Sequence, residues 1–351
     1  MMKRVSILLC LPAGALVLAA CLAVGVRAEE DDQRVDRATD KALEWLDRTQ
    51  LPDGSWPAGE YRKNAAVTSL ALMAFMAKGH VPGEGRYGKV IEKGIDYVLS
   101  IADPKTGYIV ETRTGSNAGM YCHGTSTLML AEAVGMTSGE REKKIREALE
   151  RAVKLILKAQ QLERQNARQQ GGWRYGPDSR DSDLSVTGWQ LMSLRAAKNA
   201  GADVPVEAIN DGVAFVKRCA SGGGGFGYQP GGGPNLARTG TGILSLEICG
   251  QHNTPEAIAA ADWLMKNPPR WPDEFFYYGV YYCAQGMFQM GDKYWEYYRP
   301  RLEALLLGLQ REDSSWPAPQ GSEARAGQTY STAMAVLSLS VKYHYLPIYQ
   351  R

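Results

Sequence analysis

The segment QLPDGSW, residues 50–56, joins a stretch with amphipathic helical periodicity to a second stretch that is rich in small residues. The chain repeats this arrangement about every fifty residues, and each copy carries one aromatic residue in a loop. The loop aromatics are Trp56, Tyr108, Trp173, Phe226, Trp271 and Trp316. Because a repeated helix pair cannot bury its apolar face alone, we expect the copies to stack on one another.

The helices that follow these loops share a threonine. The residues four and five positions after it are both apolar. The threonines are Thr68, Thr125, Thr187, Thr239 and Thr332. Only the fifth copy, around residues 281–290, lacks one. The common register predicts that the residue four positions before each threonine lies at one shared rim.

Apolar periodicity and helix stop signals predict about twelve helices in two alternating sets. An amphipathic set, expected to face water as an outer layer, comprises residues 38–49, 87–101, 140–161, 206–218, 255–266 and 293–310. A set with few charges, expected to be packed on both sides, comprises residues 65–78, 119–134, 184–199, 236–249, 278–290 and 329–343. Neither the first nor the last copy has the polar character of a solenoid cap. The sequence therefore predicts an all-α, closed ring of six helical hairpins, an (α/α)6 toroid with inner and outer helix layers.

Residues 1–28 have the pattern of an export signal, which leaves residues 29–351 as a single toroid domain. Lys3 and Arg4 precede an apolar run over residues 5–26. Cleavage after Ala28 fits the small-residue rule, whereas Leu18-Ala19-Ala20-Cys21 resembles a bacterial lipobox, with Cys21 lipidated. An uncleaved anchor is the third alternative. We expect a periplasmic or extracellular protein, and a lipid anchor at Cys21, if this cysteine is the processed residue, would be its only contact with a membrane.

The charge balance argues against a nucleic-acid partner. The formal net charge is +2, the isoelectric point is near 8.1, and the basic residues form no stripe. Beyond the leader there are four cysteines, Cys122, Cys219, Cys249 and Cys283. The repeat places them apart, so we expect small buried hydrophobes rather than disulfides.

Residues 50–56 match the Gln-x-x-x-Gly-x-Trp motif of squalene and hopene cyclases, and residues 310–316 match it with Ser314 in place of the glycine. Residues 171–173 and 224–226 are partial copies that lack a glutamine in register. The motif residues, expected to be structural, are Gln50, Gly54, Trp56, Trp173, Phe226, Gln310 and Trp316. The chain resembles the prenyltransferase and squalene-hopene cyclase superfamily, whose members form α/α toroids.

Asp181-Ser182-Asp183 opens the third inner helix, where squalene-hopene cyclases carry Asp-x-Asp-Asp-Thr. The resemblance implies that Asp183 is the acid that protonates an alkene, with Asp181 beside it. Leu184 and Ser185 replace the last Asp and Thr. An apolar cavity would keep such a carboxyl protonated, and the aromatic faces of Trp189, Tyr228, Tyr277 and Tyr278 would stabilise a carbocation. The alternative is that Ser182 or Asp183 only caps the helix.

The shared register predicts a polar rim above an apolar interior. This arrangement is typical of a ligand pocket, but polar residues at the N-terminal ends of helices would produce it as well. The candidate rim and cavity residues are Asn64, Tyr121, His123, Trp189, Asn235, Arg238, Tyr277, Tyr278, Gln328 and Tyr330, together with Asp181 and Asp183. For His123 the alternative is a buried structural histidine.

No metal and no cofactor are predicted. The positions nearest to the zinc ligands of protein prenyltransferases are Tyr281, Cys283 and Ser331, so two of three ligands are lost. A literal dinucleotide fingerprint, Gly222-x-Gly224-x-x-Gly227, follows a predicted helix instead of a strand and is a loop.

Three functions stay open. The first is an exported toroid that binds an apolar, isoprenoid-like ligand or a protein partner without catalysis. The second is a class II-type terpene cyclase, in which Asp183 is the general acid. The third is a glycan-active toroid enzyme, for which Asp181 and Asp183 are the obvious carboxylate pair.

Overall fold

The computed structural model describes residues 13–111, 119–318 and 320–350. The regular elements in these ranges are helical. They are α1 Ala13–Thr49, α2 Ala65–Ala77, α3 Gly88–Ile101, α4 Gly119–Ala133, α5 Gly139–Gln160, α6 Leu184–Asn199, α7 Val206–Arg218, α8 Leu236–Ile248, α9 Pro255–Lys266, α10 Phe276–Met290, α11 Asp292–Leu309 and α12 Gly327–Leu339.

The predicted helix bounds agree with these elements to within a few residues, except at the two ends of the chain. Helix α1 begins at Ala13 and continues without a break to Thr49, so it includes residues predicted as leader. Residues 1–12, where the leader prediction begins, lie outside the described ranges. Among the described helices, none has the length and apolarity needed to cross a membrane. Helix α12 ends at Leu339 instead of Tyr343, because the chain turns there into a 3-10 segment.

The even-numbered helices form an inner ring. Each packs against the next, and α12 returns to pack against α2, which closes the ring. The outer layer closes as well, since the Gln310 amide donates a hydrogen bond of 2.9 Å to the Ala38 carbonyl of α1. The prediction of a closed (α/α)6 toroid is confirmed.

Inner and outer helices differ in burial as the sequence predicts. In α2 every residue except Ala66 is buried, whereas α5 buries one face only. Small residues suit the inner layer because other helices pack on both of its sides. Cys122, Cys219, Cys249 and Cys283 are free thiols, the first two and the last buried and Cys249 partly buried. Burial raises the pKa of each thiol to about 12.

Three of the loop tryptophans, Trp56, Trp173 and Trp316, connect an outer helix to the inner helix that follows. The Trp316 indole Nε1 donates to the Leu306 carbonyl of α11 at 2.8 Å, and the Trp316 backbone N–H donates to Thr332 Oγ1 of α12 at 3.1 Å. Trp56 and Trp173 make the same pair of bonds, and the Phe226 N–H donates to Thr239 Oγ1. The repeated threonine is therefore the acceptor for the loop backbone.

The motif glutamines connect consecutive outer helices. The Gln50 amide donates to the Gly54 carbonyl of its own loop at 3.0 Å and to the Val90 carbonyl of α3 at 2.9 Å. The third copy has the same arrangement, because Gln160 donates to the Gly171 and Ala208 carbonyls at 2.8 Å each. The motif search on the sequence missed Gln160, because ten residues, 161–170, separate it from the glycine where the motif has three.

Trp316→Ala should lower the free energy of unfolding by about 3–5 kcal/mol, because it removes a fully buried indole that contacts two helices. The matched variant Trp316→Phe keeps an aromatic ring but loses the N–H donor, and should cost about 1–2 kcal/mol. Urea unfolding curves provide the measurement, and Trp56→Ala should behave like Trp316→Ala. A loss below about 1 kcal/mol in both alanine variants would contradict a structural role.

Gly54 and Ser314 occupy the same motif position and should respond to exchange in opposite directions. Gly54 has φ +89°, and a Cβ there would lie 2.1 Å from the Lys93 carbonyl oxygen, so Gly54→Ala should destabilise by more than about 2 kcal/mol. Ser314 has φ 74°, a left-handed conformation that is unfavourable for serine, so Ser314→Gly should stabilise by about 1 kcal/mol. Thermal unfolding of the two variants measures both effects. Shifts of the same sign would show that the two loops are not equivalent.

Candidate functional site

The N-terminal ends of the inner helices meet at one rim of the ring, which we call the mouth. Asn64, Asp183 and Asn235 are the N-cap residues of α2, α6 and α8. Their side-chain oxygens accept the backbone N–H three residues later, at 3.1, 2.9 and 2.9 Å respectively. The capping role offered as the alternative for Asp183 is therefore present, and it fixes the direction of the carboxyl.

Asp183 is fully buried, and only one of its oxygens is used by the cap. Oδ2 accepts no hydrogen bond from the described residues, and its cationic neighbour is the Arg174 guanidinium, with Nη1 at 3.4 Å. Burial raises the pKa of Asp183 to about 7, although the Val186 N–H and Arg174 favour the ionised form. Asp183 thus changes charge near neutral pH.

Arg174 brings the two predicted aspartates together. Its Nε lies 3.3 Å from Asp181 Oδ2, and Asp181 is 38% exposed where Asp183 is not exposed at all. The guanidinium also lies over two aromatic rings, 4.6 Å from the centroid of Tyr175 and 5.2 Å from that of Tyr228. Neither Arg174 nor Tyr175 was among the predicted site residues. Both residues directly follow the loop aromatic Trp173, and this position in the sequence could have indicated that they lie at the site.

Four partly buried tyrosines surround Asp183, and we call them the mouth tyrosines: Tyr121, Tyr175, Tyr228 and Tyr278. The Tyr175 and Tyr228 hydroxyls are hydrogen-bonded to each other, and the Tyr121 and Tyr175 rings lie 6.0 Å apart. The Tyr278 hydroxyl donates to the Ser185 carbonyl in the first turn of α6 at 3.1 Å. Arg238 lies over the Tyr228 ring at 5.1 Å.

Below the mouth, buried aromatic side chains pack around the ring axis. The Trp189 ring stacks on Tyr281 with centroids 5.8 Å apart and also contacts Tyr282. The last turn of the chain, Pro347–Tyr349, approaches from the opposite face, where the Tyr349 hydroxyl is hydrogen-bonded to that of Tyr281. The inner helices therefore enclose a packed aromatic layer.

Glu323 is a buried carboxylate of the mouth that the sequence analysis missed. It accepts the backbone N–H groups of Tyr277 and Tyr278 at 3.3 and 3.0 Å, and the Tyr330 hydroxyl at 2.7 Å. Helix α10 starts after Phe275, which cannot cap it, so Glu323 from the following copy supplies the missing acceptor. Burial raises the pKa of Glu323 to about 7.

His123, predicted at the rim, lies instead between α4 and the outer helix α5. Its Nδ1 accepts the Ile109 N–H at 3.2 Å, so the protonated Nε2 donates to the Ala152 carbonyl at 3.1 Å. Burial lowers the pKa of His123 to about 4, which keeps the ring neutral. In the second copy, His123 accepts the loop backbone N–H that the repeated threonine accepts in four other copies. The buried loop residue is Ile109, whereas the sequence predicted Tyr108.

Two further predicted rim residues, Tyr277 and Gln328, bond to the sixth loop instead of facing the mouth. The Tyr277 hydroxyl donates to the Pro317 carbonyl at 3.0 Å, and the Gln328 amide is hydrogen-bonded to Ser315 Oγ. In contrast, Tyr330 reaches the mouth through Glu323.

The positions compared with zinc ligands do not converge. Cys283 Sγ donates to the Leu236 carbonyl at 3.5 Å, Ser331 Oγ donates to the Trp316 and Gln328 carbonyls, and Tyr281 pairs with Tyr349. Within residues 13–111, 119–318 and 320–350, no three His, Cys, Asp or Glu side chains are grouped to hold a metal ion.

Asp183→Asn should change how stability depends on pH. A buried carboxyl with a raised pKa binds its proton more tightly in the folded state, so the wild-type protein should lose stability as the pH rises from about 4 to about 7. The slope from this one group is at most about 1.4 kcal/mol per pH unit. Asparagine keeps the cap but does not titrate.

Urea unfolding at several pH values tests this, with Asp181→Asn as the matched control at a more exposed aspartate. The unfolding free energy of Asp183→Asn minus that of the wild type should become more positive as the pH rises. Parallel profiles would show that Asp183 does not titrate in this range.

Solved structures with the same fold include proteins of different activities. The type II terpene cyclase MstE from Scytonema, in complex with its substrate geranylgeranyl dihydroxybenzoate, is 14% identical, with 91% of this chain and 99% of that chain covered and a TM-score of 0.59. The α-1,6-mannanase GH76A of Salegentibacter, in complex with α-1,6-mannotriose, is 10% identical, with 87% and 99% covered and a TM-score of 0.62. Protein geranylgeranyltransferase-I of Candida albicans, complexed with GGPP, is 12% identical, with 89% and 92% covered and a TM-score of 0.50. At these identities the likeness shows the fold alone.

Comparison with curated proteins by sequence gives no match. The model of the prenyltransferase alpha-alpha toroid domain, however, matches residues 12–163, 95–271 and 277–348. The first two segments overlap, and the three together cover most of the chain, in agreement with the helix repeat and the closed ring. The protein belongs to the prenyltransferase alpha-alpha toroid family.

Proposed function

We propose that this protein is an exported toroid that binds an apolar, isoprenoid-like ligand at the mouth without converting it. The observation that carries the proposal is the set of mouth tyrosines, which lie partly buried around the buried Asp183 and its partner Arg174. Partly exposed aromatic rings grouped around a few fixed polar side chains are typical of a small-molecule site.

The chemistry of the mouth suits an amphiphilic ligand. The faces of the mouth tyrosines offer apolar contact area, while Arg174 and Arg238 both hold their charge over the Tyr228 ring. A polar or anionic head group would bind these guanidinium groups, and an isoprenoid chain would lie on the rings. MstE and the Candida transferase carry geranylgeranyl compounds on the same fold, which supports this ligand class.

Binding is favoured over catalysis by what surrounds Asp183. One oxygen caps α6, and the other faces a permanently charged guanidinium, which opposes protonation. Trp189 and Tyr281 are buried along the ring axis, where a cyclase would hold its folded substrate. A glycosidase would need one of the two aspartates as a neutral acid, yet Arg174 contacts both.

Class II-type cyclisation with Asp183 as general acid is the second candidate. It is favoured by the raised pKa of about 7 and by an Oδ2 that accepts no hydrogen bond from the described residues. A carboxyl with that pKa is about half protonated at neutral pH.

Export is part of the proposal and rests on the leader pattern. Lys3 and Arg4 before the apolar run support secretion, with release after Ala28 or lipid attachment at Cys21 as the two exits. Mass measurement of the mature N-terminus distinguishes them.

Native mass spectrometry with solvent extraction, on mature protein from its own compartment, tests the proposal. We expect a co-purifying molecule of polyprenyl or hopanoid size, and a 1:1 adduct when geranylgeraniol is added to stripped protein. Arg174→Gln should weaken that adduct at least about tenfold, since it removes the mouth cation. Arg146→Gln, an exposed arginine on α5, is the matched control and should bind as wild type does.

Each outcome separates the alternatives. A stripped protein that takes up no geranylgeraniol contradicts the proposal, and a co-purifying protein would point to a partner instead. A cyclised product that Asp183→Asn abolishes would establish the cyclase candidate.

A further inference from the structure

A cavity opens on the face of the ring opposite to the mouth. Its volume is about 410 Å³, and its walls come from the C-terminal ends of α6, α8 and α10 and from the end of the chain. Asp183 precedes α6 and Asn199 ends it, so the two sites are separated by the full length of a 16-residue helix, about 24 Å. This cavity therefore has no part in the proposed function.

Glu247 forms the floor of this cavity and is only 3% exposed. Its Oε2 is 2.7 Å from His252 Nδ1, whereas its Oε1 is buried without a hydrogen-bond partner among the described residues. A buried carboxylate oxygen without a donor is costly, so it marks a place for a donor. The terminal torsion of a glutamate is soft, so a small rotation presents the carboxylate to the cavity.

The helix ends add to the attraction for a cation. Helices α6, α8 and α10 all end at this cavity, with Asn199, Ile248 and Met290 in its wall. The C-terminal end of a helix carries the negative end of its dipole. Together with Glu247, these ends favour a positively charged group that can donate hydrogen bonds, such as an ammonium.

Arg195 provides the opposite charge in the same cavity. It lies on α6 one turn before the helix ends and is half-buried. In the described part of the chain, no ion pair or hydrogen bond is made by its guanidinium. Arginine binds carboxylates in a bidentate manner, so Arg195 suits the carboxylate of a ligand.

We infer that this cavity binds a small zwitterion, a free α-amino acid or a short peptide, with its ammonium on Glu247 and its carboxylate on Arg195. His252 holds the Glu247 carboxylate through Oε2 and leaves the other oxygen for the ligand. The volume of about 410 Å³ is that of a small-molecule site.

Isothermal titration calorimetry on the full chain tests the inference, with alanine, dialanine, N-acetylalanine and alaninamide as probes. Binding of alanine identifies a free amino acid as the ligand class, and binding of dialanine alone identifies a short peptide. N-acetylalanine lacks the ammonium and alaninamide lacks the carboxylate, so each should bind at least about tenfold more weakly than its parent.

Variants locate the two charges. Glu247→Gln and Arg195→Gln should each weaken zwitterion binding at least about tenfold, while Glu150→Gln, on the exposed face of α5, should leave it unchanged. The His252 side chain is 55% exposed, so the His252→Ala variant should fold normally. It should still bind the zwitterion more weakly, because His252 no longer holds the Glu247 carboxylate. Circular dichroism confirms the fold of each variant.

Failure of both alanine and dialanine to bind would overturn the inference. Equal affinity for N-acetylalanine, or equal binding by folded Glu247→Gln or His252→Ala protein, would overturn it as well. None of these results depends on geranylgeraniol binding at the mouth, so the two proposals fail separately.

Discussion

The hydrogen bond from a loop backbone N–H to an inner-helix side chain is the interaction on which the ring depends. At Trp56, Trp173, Phe226 and Trp316 the acceptor is the repeated threonine, and at Ile109 it is His123. Where the residue is tryptophan, its indole also bonds to the preceding outer helix. One residue thus fixes the loop against two helices, and the buried ring fills the space between them. Repeating this contact in five of the six loops gives these hairpins a common geometry, whereas Trp271 in the remaining loop packs against Phe276 and Tyr277.

The same geometry places functional chemistry at the mouth. Equal hairpins bring the starts of the inner helices to one rim, where asparagine and aspartate serve as caps. A cap on an outer helix would face water, whereas Asp183 is enclosed by its neighbours and its pKa rises to about 7. Asp183 therefore both caps α6 and titrates near neutral pH. Glu323 repeats this combination for α10.

Much of the fold could be predicted because it depends on local periodicity. Helices α6, α7 and α9 have the predicted bounds, since N-caps, proline and charge patterns mark their ends. Contacts between distant residues could not be predicted. Glu323 caps a helix 45 residues away, and Gln160 is separated from its loop by an insertion. For His123, no sequence pattern distinguishes a side chain facing the axis from one facing the outer layer, and only packing decides it.

Closure of the ring has a consequence for the order of folding. The bond from Gln310 to Ala38 joins residues 272 positions apart, and Arg299 and Lys342 pair with Asp32 over comparable separations. Contacts of such long range cost loop entropy before they stabilise anything, so they form late. Five hairpins can stack one after another during synthesis, but the seam between the first and last closes only after α12 is available. Until then, the apolar sides of α2 and α10 have no neighbour at the seam, and the open ring is the species most prone to associate with another copy of itself.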